Sequence, residues 1–455
     1  MAKIRVRCEP ELTSAIKING DCRHYIYMGR LKDSGRNNET VHFDADGNFV
    51  VLEVGKRGSG KSFGMGAALE AFCAREQNTT IACHGANRRG VLLLDPLDVH
   101  WTAIYPLRKD GTPQMSEQYK LLSRWQDISV EPINVRVFMP AGKNQAEDPA
   151  AFVPFQVPVS DLTPEDFALL YGTNLVREPA GMLLFELYEK VTRLGYVVRG
   201  GGQRPKTSFG LEDLLKCLDD DEIRDPDRGF NRETIRAVSQ RLRTWLSDPL
   251  FQSNTGTPIS ELIRAGQLSI LCLNRLSEDM RSVITGVLVR KIKQERTRSS
   301  QIERRTAFDA TPVQQDSHMP RVILAIDEAQ MILPSSGGGP ARQAIDSYIL
   351  EGRNFGLSVW LATQRPKGAI SSKAMSQLDT LIIHRLSSVD DLQTIGELVQ
   401  NALPNKIKIN DRDAGYQDLI RSLEVGMAYV SNDSVSRCFV MDVRPRVVAH
   451  GGTAF

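Results

Sequence analysis

A chain of 455 residues is long enough for two or three domains around at least one large core. Its make-up, 41% hydrophobic and 25% charged with a net charge of +2, is that of an ordinary soluble protein. So small a net charge neither requires nor excludes nucleic acid, because a ring or channel concentrates positive charge locally. The seven cysteines are odd in number and never in C-x-x-C spacing, which excludes a disulfide framework or zinc site and predicts reduced thiols. The first residues carry no apolar leader, and no run approaches the ~18 apolar residues of a membrane span, so a cytoplasmic protein is predicted.

Residues 1–48 are polar and turn-rich, with short alternating runs such as Arg23–Met28 and punctuation at Asp33-Ser34-Gly35 and Asp46-Gly47-Asn48. They predict a short β-rich N-terminal segment. An apolar run, Phe49–Val54, then leads into Gly55-Lys56-Arg57-Gly58-Ser59-Gly60-Lys61-Ser62, and a helical pattern follows from Phe63 to Gln77. Strand, G-x-x-x-x-G-K-[ST] loop and helix are the elements of a phosphate-binding loop. Gly55, Gly58 and Gly60 let the backbone curl so that successive N–H groups converge on a phosphate, and the helix N-terminus adds its free donors. Lys61 is placed to reach the β- and γ-phosphates, and the Ser62 hydroxyl to ligate Mg²⁺. The predicted nucleotide-binding set is Gly55, Gly58, Ser59, Gly60, Lys61, Ser62 and Phe63, for ATP with Mg²⁺.

Val91–Asp95, closed by Pro96, is an aliphatic run suited to a strand buried on both faces of a parallel sheet. From 111 to 265 the pattern turns helical. Thr163-Pro164-Glu165-Asp166 opens one helix with a cap, a proline and acids, Met182–Leu194 is another, and 199–206 reads as a flexible basic loop. A helix opening at Asn231 lines up Ile235, Val238, Leu242 and Trp245. Its Arg232, Arg236 and Arg243 read as a solvated face in preference to a DNA contact. The span 111–265 is thus a helical insertion. The sheet resumes at Leu268–Leu273, followed by a long amphipathic helix from about Ser277 with a basic end at Arg290, Lys291, Lys293 and Arg296. A polar linker at 306–319 precedes three more strands, Val322–Ile326, Leu357–Ala362 and Leu381–His384. Buried strands alternating with helices around a phosphate loop predict an α/β fold with a mostly parallel sheet.

The strand at 322–326 ends in Asp327-Glu328. An Asp there holds the Mg²⁺ shell, and an adjacent Glu orients and polarises the attacking water, which makes the reaction hydrolysis. Leu361–Pro366 closes the next strand, and Gln364 is assigned to sense the γ-phosphate, with Thr363 or Arg365 as alternatives. The plainer reading is a turn whose Gln caps a backbone group. Arg353, at the exposed end of a helical segment that begins after Pro340, reads on its own as a salt-bridging surface residue. In an oligomer it could instead reach a neighbour's γ-phosphate.

These pieces resemble the HerA branch of the HerA/FtsK superfamily of hexameric DNA-pumping ATPases. The resemblance is carried by Gly55–Ser62, Val91–Pro96, Asp327-Glu328-Ala329-Gln330 and Ala362-Thr363-Gln364-Arg365-Pro366. Leu381–Leu386 with Asp390-Asp391, and Arg444-Pro445-Arg446 leading to His450-Gly451-Gly452, also fit. It implies a RecA-like P-loop core over 49–110 and 266–443, a helical-bundle insertion over 111–265, and a C-terminal segment, 444–455, that contacts a neighbouring subunit. It implies Lys61, Glu328, Gln364 and Arg353 as the catalytic set, with Arg353 as arginine finger, and Ser62 and Asp327 at the metal. It further implies a homo-hexamer around double-stranded DNA, working with an effector such as a NurA-type nuclease or, in antiphage operons, an NADase. An N-terminal barrel docks the partner in this family, and 48 residues are short for it. Candidate pore contacts are the glycine-rich loop at 335–342 with Arg342, and Lys367 and Lys373. The other function considered is an ATP-dependent ring scaffold that switches an effector without translocating DNA.

Overall fold

The computed structural model describes residues 15–452 apart from 19, 21, 33–38, 200, 228, 252–254, 310–317, 334–338, 369–370, 399–406, 410–411 and 433–436. The expectations for the first residues, for Asp33-Ser34-Gly35, for most of the linker at 306–319, for the first half of the glycine-rich loop and for 453–455 lie outside the described residues.

In chain order the strands are β1 (Ala15–Ile18), β2 (Tyr25–Leu31), β3 (Thr40–Asp44), β4 (Val50–Val54), β5 (Ala82–Cys83), β6 (Gly90–Asp95), β7 (Val135–Pro140) and β8 (Val153–Phe155). A hairpin of β9 (Tyr196–Val198) and β10 (Gly201–Gln203) precedes β11 (Leu268–Cys272), β12 (Val322–Ile326), β13 (Leu357–Thr363) and β14 (Thr380–Ile383). A second hairpin, β15 (Ile407–Ile409) and β16 (Arg412–Ala414), precedes β17 (Met427–Asn432) and β18 (Arg437–Val443). Among the described residues, fourteen of these strands form one sheet in the order β1-β3-β2-β18-β17-β14-β4-β13-β12-β6-β11-β7-β8, with β5 beside β2. From β14 to β8 every neighbouring pair is parallel. From β14 through β17, β18 and β2 to β3 the pairing is antiparallel.

The parallel half is built from near-continuous aliphatic runs because both faces are covered. Every residue of β6, β11, β12 and β13 is buried. Period-2 alternation sends Leu52, Leu92, Leu94, Leu324 and Leu361 to one core and Val51, Val91, Leu93, Ile323 and Trp360 to the other. Helix α1 (Lys61–Phe72) packs in the second core. The helices that follow are α2 (Pro113–Ser123), α3 (Pro164–Tyr171), α4 (Pro179–Glu189), α5 (Leu211–Cys217), α6 (Arg232–Leu246), α7 (Ile259–Leu262), α8 (Glu278–Asp309) and α9 (Pro340–Gly352). Helix α3 starts as the sequence predicts, with the Thr163 side chain and Asp166 closing a capping box. Helix α6 buries Ile235, Val238, Leu242 and Trp245 and leaves Arg232, Arg236 and Arg243 exposed.

Three features differ from the sequence expectation. The span 111–265 is not wholly helical: β7 and β8 fall inside it and extend the parallel sheet beyond β11. Helix α8 runs through the first residues of the expected linker, to Asp309. Its cations are therefore mid-helix and serve the scaffold: Arg290 pairs with Asp166, Lys291 with Asp161, and Lys293 with Glu351 at 2.8 Å. Third, the β-rich N-terminal strands are part of the main sheet, joined to it through β2 and β18. Among the described residues no helix is long and apolar enough to cross a membrane.

Candidate nucleotide site

The site forms where β4, β6, β12 and β13 end together at one edge of the sheet. The loop leaving β4 is pinned at its start, with Gly55 N–H donating to Thr363 O at 3.3 Å and Lys56 N–H to Arg385 O at 3.1 Å. It then turns through Gly58 (φ 72°) and Gly60 (φ 98°), a left-handed backbone that glycine adopts without a Cβ penalty. Helix α1 starts at Lys61 with no acid in its first turn and no side-chain cap, so its N-terminal N–H groups have no such partner. The Ser59 hydroxyl is buried without a partner in the same loop. Free amides, an orphaned hydroxyl and a buried ammonium converge there, which is a cradle for an anionic oxygen cluster.

Lys61 Nζ lies 3.0 Å from Asp327 Oδ1 and 3.0 Å from Glu328 Oε1. Burial works against the Lys61 ammonium, but the two carboxylates outweigh it and hold it above its ordinary value. Burial would likewise raise the Asp327 carboxyl, yet Lys61, His100 and the Ser62 hydroxyl together hold it far below the usual carboxylate range. His100 Nε2 sits 3.0 Å from Asp327 Oδ2. The His100 backbone is fixed by Asp95 at the end of β6, whose carboxylate accepts the His100 and Leu97 backbone N–H groups at 2.7 and 3.2 Å. Glu328 has φ 43°, left-handed backbone in a residue with a Cβ. Its carboxylate also accepts from Gln364 Nε2 at 2.7 Å and Gln330 Nε2 at 2.5 Å. Lys61, Ser62, Glu328, Gln330 and Gln364 line a cleft of about 630 Å³ together with Phe63 and His450.

Ser62 and Asp327 offer one hydroxyl and one carboxylate side by side, and among the described residues no three His, Cys, Asp or Glu side chains gather as a metal cage. That donor set fits Mg²⁺, which keeps water and phosphate oxygens as its other ligands.

Of the residues predicted from sequence, Gly55, Gly58, Ser59, Gly60, Lys61, Ser62, Phe63, Asp327, Glu328 and Gln364 come together at this edge. Arg353 does not. It is exposed in the turn Arg353–Phe355 that precedes β13. At about 3.3 Å per residue, the seven-residue strand puts it more than about 20 Å from its own cleft. The C-terminal segment is anchored on its own chain. Arg444 and Arg446 pair at 2.8 and 3.3 Å with Glu70 on the same chain's α1, all three fully buried. Arg446 in turn contacts His450 Nδ1 at 3.2 Å, and His450, Gly451 and Gly452 line the chain's own cleft. Burial, with Arg446 and His100 close by, pushes His450 well below its ordinary value, so its ring is neutral. His100, Gln330 and Glu70 escaped the sequence reading. A lone His after Asp95-Pro96 has no spacing signal, and Gln330 was legible only as part of a motif.

Residues 54–292, a little over half of the chain, match the profile of the family described as "Helicase HerA, central domain". The chain belongs to that family. It is 21% identical over 269 residues to the DNA double-strand break repair helicase HerA of Pyrococcus furiosus, covering 52% of this chain and 46% of that one. It is 24% identical over 147 residues to the protein of the same name from Sulfurisphaera tokodaii, covering 32% and 27%. The chain thus spans less than half the length of the curated relatives it matches. Among solved structures, VirB4 of Thermoanaerobacter pseudethanolicus superposes with a TM-score of 0.51 at 13% identity, over 94% of this chain and 98% of that one. That likeness gives the fold: a RecA-like P-loop domain with a large, mostly parallel sheet. Family membership places this HerA-family chain in the P-loop ATPase class, which binds nucleotide.

Proposed function

We propose that this chain is a HerA-type ATPase that hydrolyses ATP with Mg²⁺ and, as a homo-hexamer, moves double-stranded DNA through a central pore for a separately encoded effector. The observation that carries the hydrolytic part is the Glu328 carboxylate, held in the phosphate cleft between Lys61, Gln330 and Gln364. The loop amides and Lys61 bind the β- and γ-phosphates, and Glu328 accepts the proton of the attacking water. Gln364, within hydrogen-bond reach of Glu328, reports the γ-phosphate. Ser62 and Asp327 would hold Mg²⁺, which neutralises phosphate charge when bound. Arg353 acts on a neighbouring subunit's nucleotide. The core is 49–110 with 266–443, extended by β7 and β8, and the helices of 111–265 are an insertion on it. The duplex is gripped through its phosphates, so binding weakens with salt and ignores sequence.

The test is the ATP hydrolysis rate with and without long duplex DNA at fixed low salt. Stimulation that grows with duplex length is expected. Glu328→Gln should bind ATP and lose turnover by at least about 100-fold. A rate indifferent to DNA, with effector function retained by Glu328→Gln, would replace the motor by a ring scaffold.

A further inference from the structure

Three donors hold the Glu328 carboxylate, and they are not equivalent. Lys61 Nζ and Gln364 Nε2 both approach Oε1, at 3.0 and 2.7 Å. These two groups face the phosphate cradle, and a bound γ-phosphate offers each of them another acceptor. Oε2 is held separately, by Gln330 Nε2 at 2.5 Å. Gln330 is itself held: Thr363 Oγ1 donates to its Oε1 at 2.7 Å, and Thr363 Oγ1 accepts the Arg365 N–H at 3.0 Å.

The chemistry fixes the direction of this chain. A carboxylate only accepts, so the Gln330 amide must turn its NH₂ toward Glu328 and its carbonyl toward Thr363. The Thr363 hydroxyl then gives its one proton to Gln330 Oε1 at 2.7 Å, with Arg365 O the longer acceptor at 3.1 Å, and receives the Arg365 N–H. Thr363 is fully buried at the end of β13, and its carbonyl also receives the first N–H of the phosphate loop. The anchor is therefore rigid and common to the loop, the Gln364 turn and Gln330. The φ of 43° at Glu328 points the same way: a non-glycine residue persists in that conformation only where its surroundings over-determine it.

We propose that Gln330, oriented by Thr363, is the positioning residue for Glu328: it grips Oε2 so that Oε1 stays aimed into the cleft when nucleotide draws Lys61 and Gln364 away. The inference rests on the hydrolytic reading above. It assigns no contact between Gln330 and the reacting atoms.

The experiment is steady-state ATP hydrolysis by the full chain, with nucleotide affinity and thermal midpoint measured on the same samples. Gln330→Ala should lower kcat by about 10- to 100-fold, the scale of a misplaced reacting group. Its KM, ATP affinity and thermal midpoint should stay near those of the unsubstituted chain. Thr363→Val, close in shape but without the hydroxyl, should lower kcat in the same way, while Thr363→Ser should restore it. The double variant Gln330→Ala/Thr363→Val should be no slower than the slower single one, because both break one chain of bonds. Unchanged kcat in Gln330→Ala, a loss confined to KM, or additive losses in the double variant would each overturn the proposal while leaving the ATPase reading intact. No hydrolysis by the unsubstituted chain would overturn the ATPase reading and this inference with it.

Discussion

Lys61 occupies the centre of the cleft because nothing else there can neutralise Asp327 and Glu328 at once. Its side chain is 4% exposed, and its ammonium bridges both carboxylates at 3.0 Å. The same geometry readies it for exchange, since a phosphate is a denser acceptor at the same place. Charge-assisted hydrogen bonds are worth about 1.5–3 kcal/mol each, so Lys61→Ala should weaken ATP binding by on the order of 100-fold in a fluorescent-nucleotide titration. Unchanged affinity would remove the phosphate-loop assignment altogether. Lys61, Ser62 and the Asp327-Glu328 pair were legible in the sequence because local spacing fixes them on one loop and one strand end. Gln364 was legible with two alternatives, and the structure shows why they were hard to separate: Thr363, Gln364 and Arg365 all enter one hydrogen-bond chain. His100 was not legible, since its partner Asp327 is 227 positions away and the two meet only because β6 and β12 are neighbours.

Helix α1 shows how elements constrain one another. Gly66 lies mid-helix, where alanine normally gains about 1 kcal/mol. Here a Cβ would stand 2.4 Å from Arg446 Nη1 and 2.7 Å from its Cζ, and Arg446 is too buried to swing away. Gly66→Ala should therefore destabilise the fold by roughly 2–3 kcal/mol in urea unfolding, as overpacking against a buried ion pair does. Gly202→Ala in β10, with nothing within 4 Å of its Cβ, serves as the neutral control. A second element-scale prediction concerns acid. Burial, followed by the charge of Arg88, pushes His84 down to about 4, and its Nε2 bonds Ala71 O at 2.9 Å. A histidine depressed in the fold binds fewer protons than in the unfolded chain, whose value is near 6.5, so stability falls as pH drops from about 6.5 toward 4. His84 should account for about 2 kcal/mol of the loss by pH 5, and His84→Gln, which keeps the donor, should make that part of a thermal-midpoint profile less steep without flattening it, because burial also holds His42 down to about 4. Legibility at this scale followed burial. The continuous runs of β6, β11, β12 and β13 announced themselves, whereas Val135-Arg136-Val137 in β7 sits toward the sheet edge and mixes half-buried with buried positions. The end of α8 was hidden because Arg296 and Glu303, which brace it at 2.8 Å, look like ordinary surface charges in sequence.

At the scale of the molecule, β13 separates the nucleotide cleft from Arg353. Its exit carries Thr363 and Gln364 at the subunit's own cleft, and its entrance carries Arg353 at the opposite edge of the sheet. In a ring with head-to-tail interfaces, such opposed faces meet across every junction. If Arg353 completes the neighbour's site, Arg353→Ala should keep ATP affinity within about twofold and lose turnover by on the order of 10³-fold, the scale of an arginine finger. Glu328→Gln should also bind ATP without turning it over. Co-assembling the two inactive variants is then the decisive measurement. A site keeps its Glu328 only in an Arg353→Ala subunit, and is served by an intact Arg353 only when its neighbour is a Glu328→Gln subunit. Random assembly in equal amounts creates such a junction at about one interface in four, so about a quarter of the unsubstituted rate should return if sites fire independently. Less than that, but above either parent, would mean that a site needs more than one competent neighbour. A mixture as inactive as its parents, with co-assembly verified, would return Arg353 to a structural role at the base of β13.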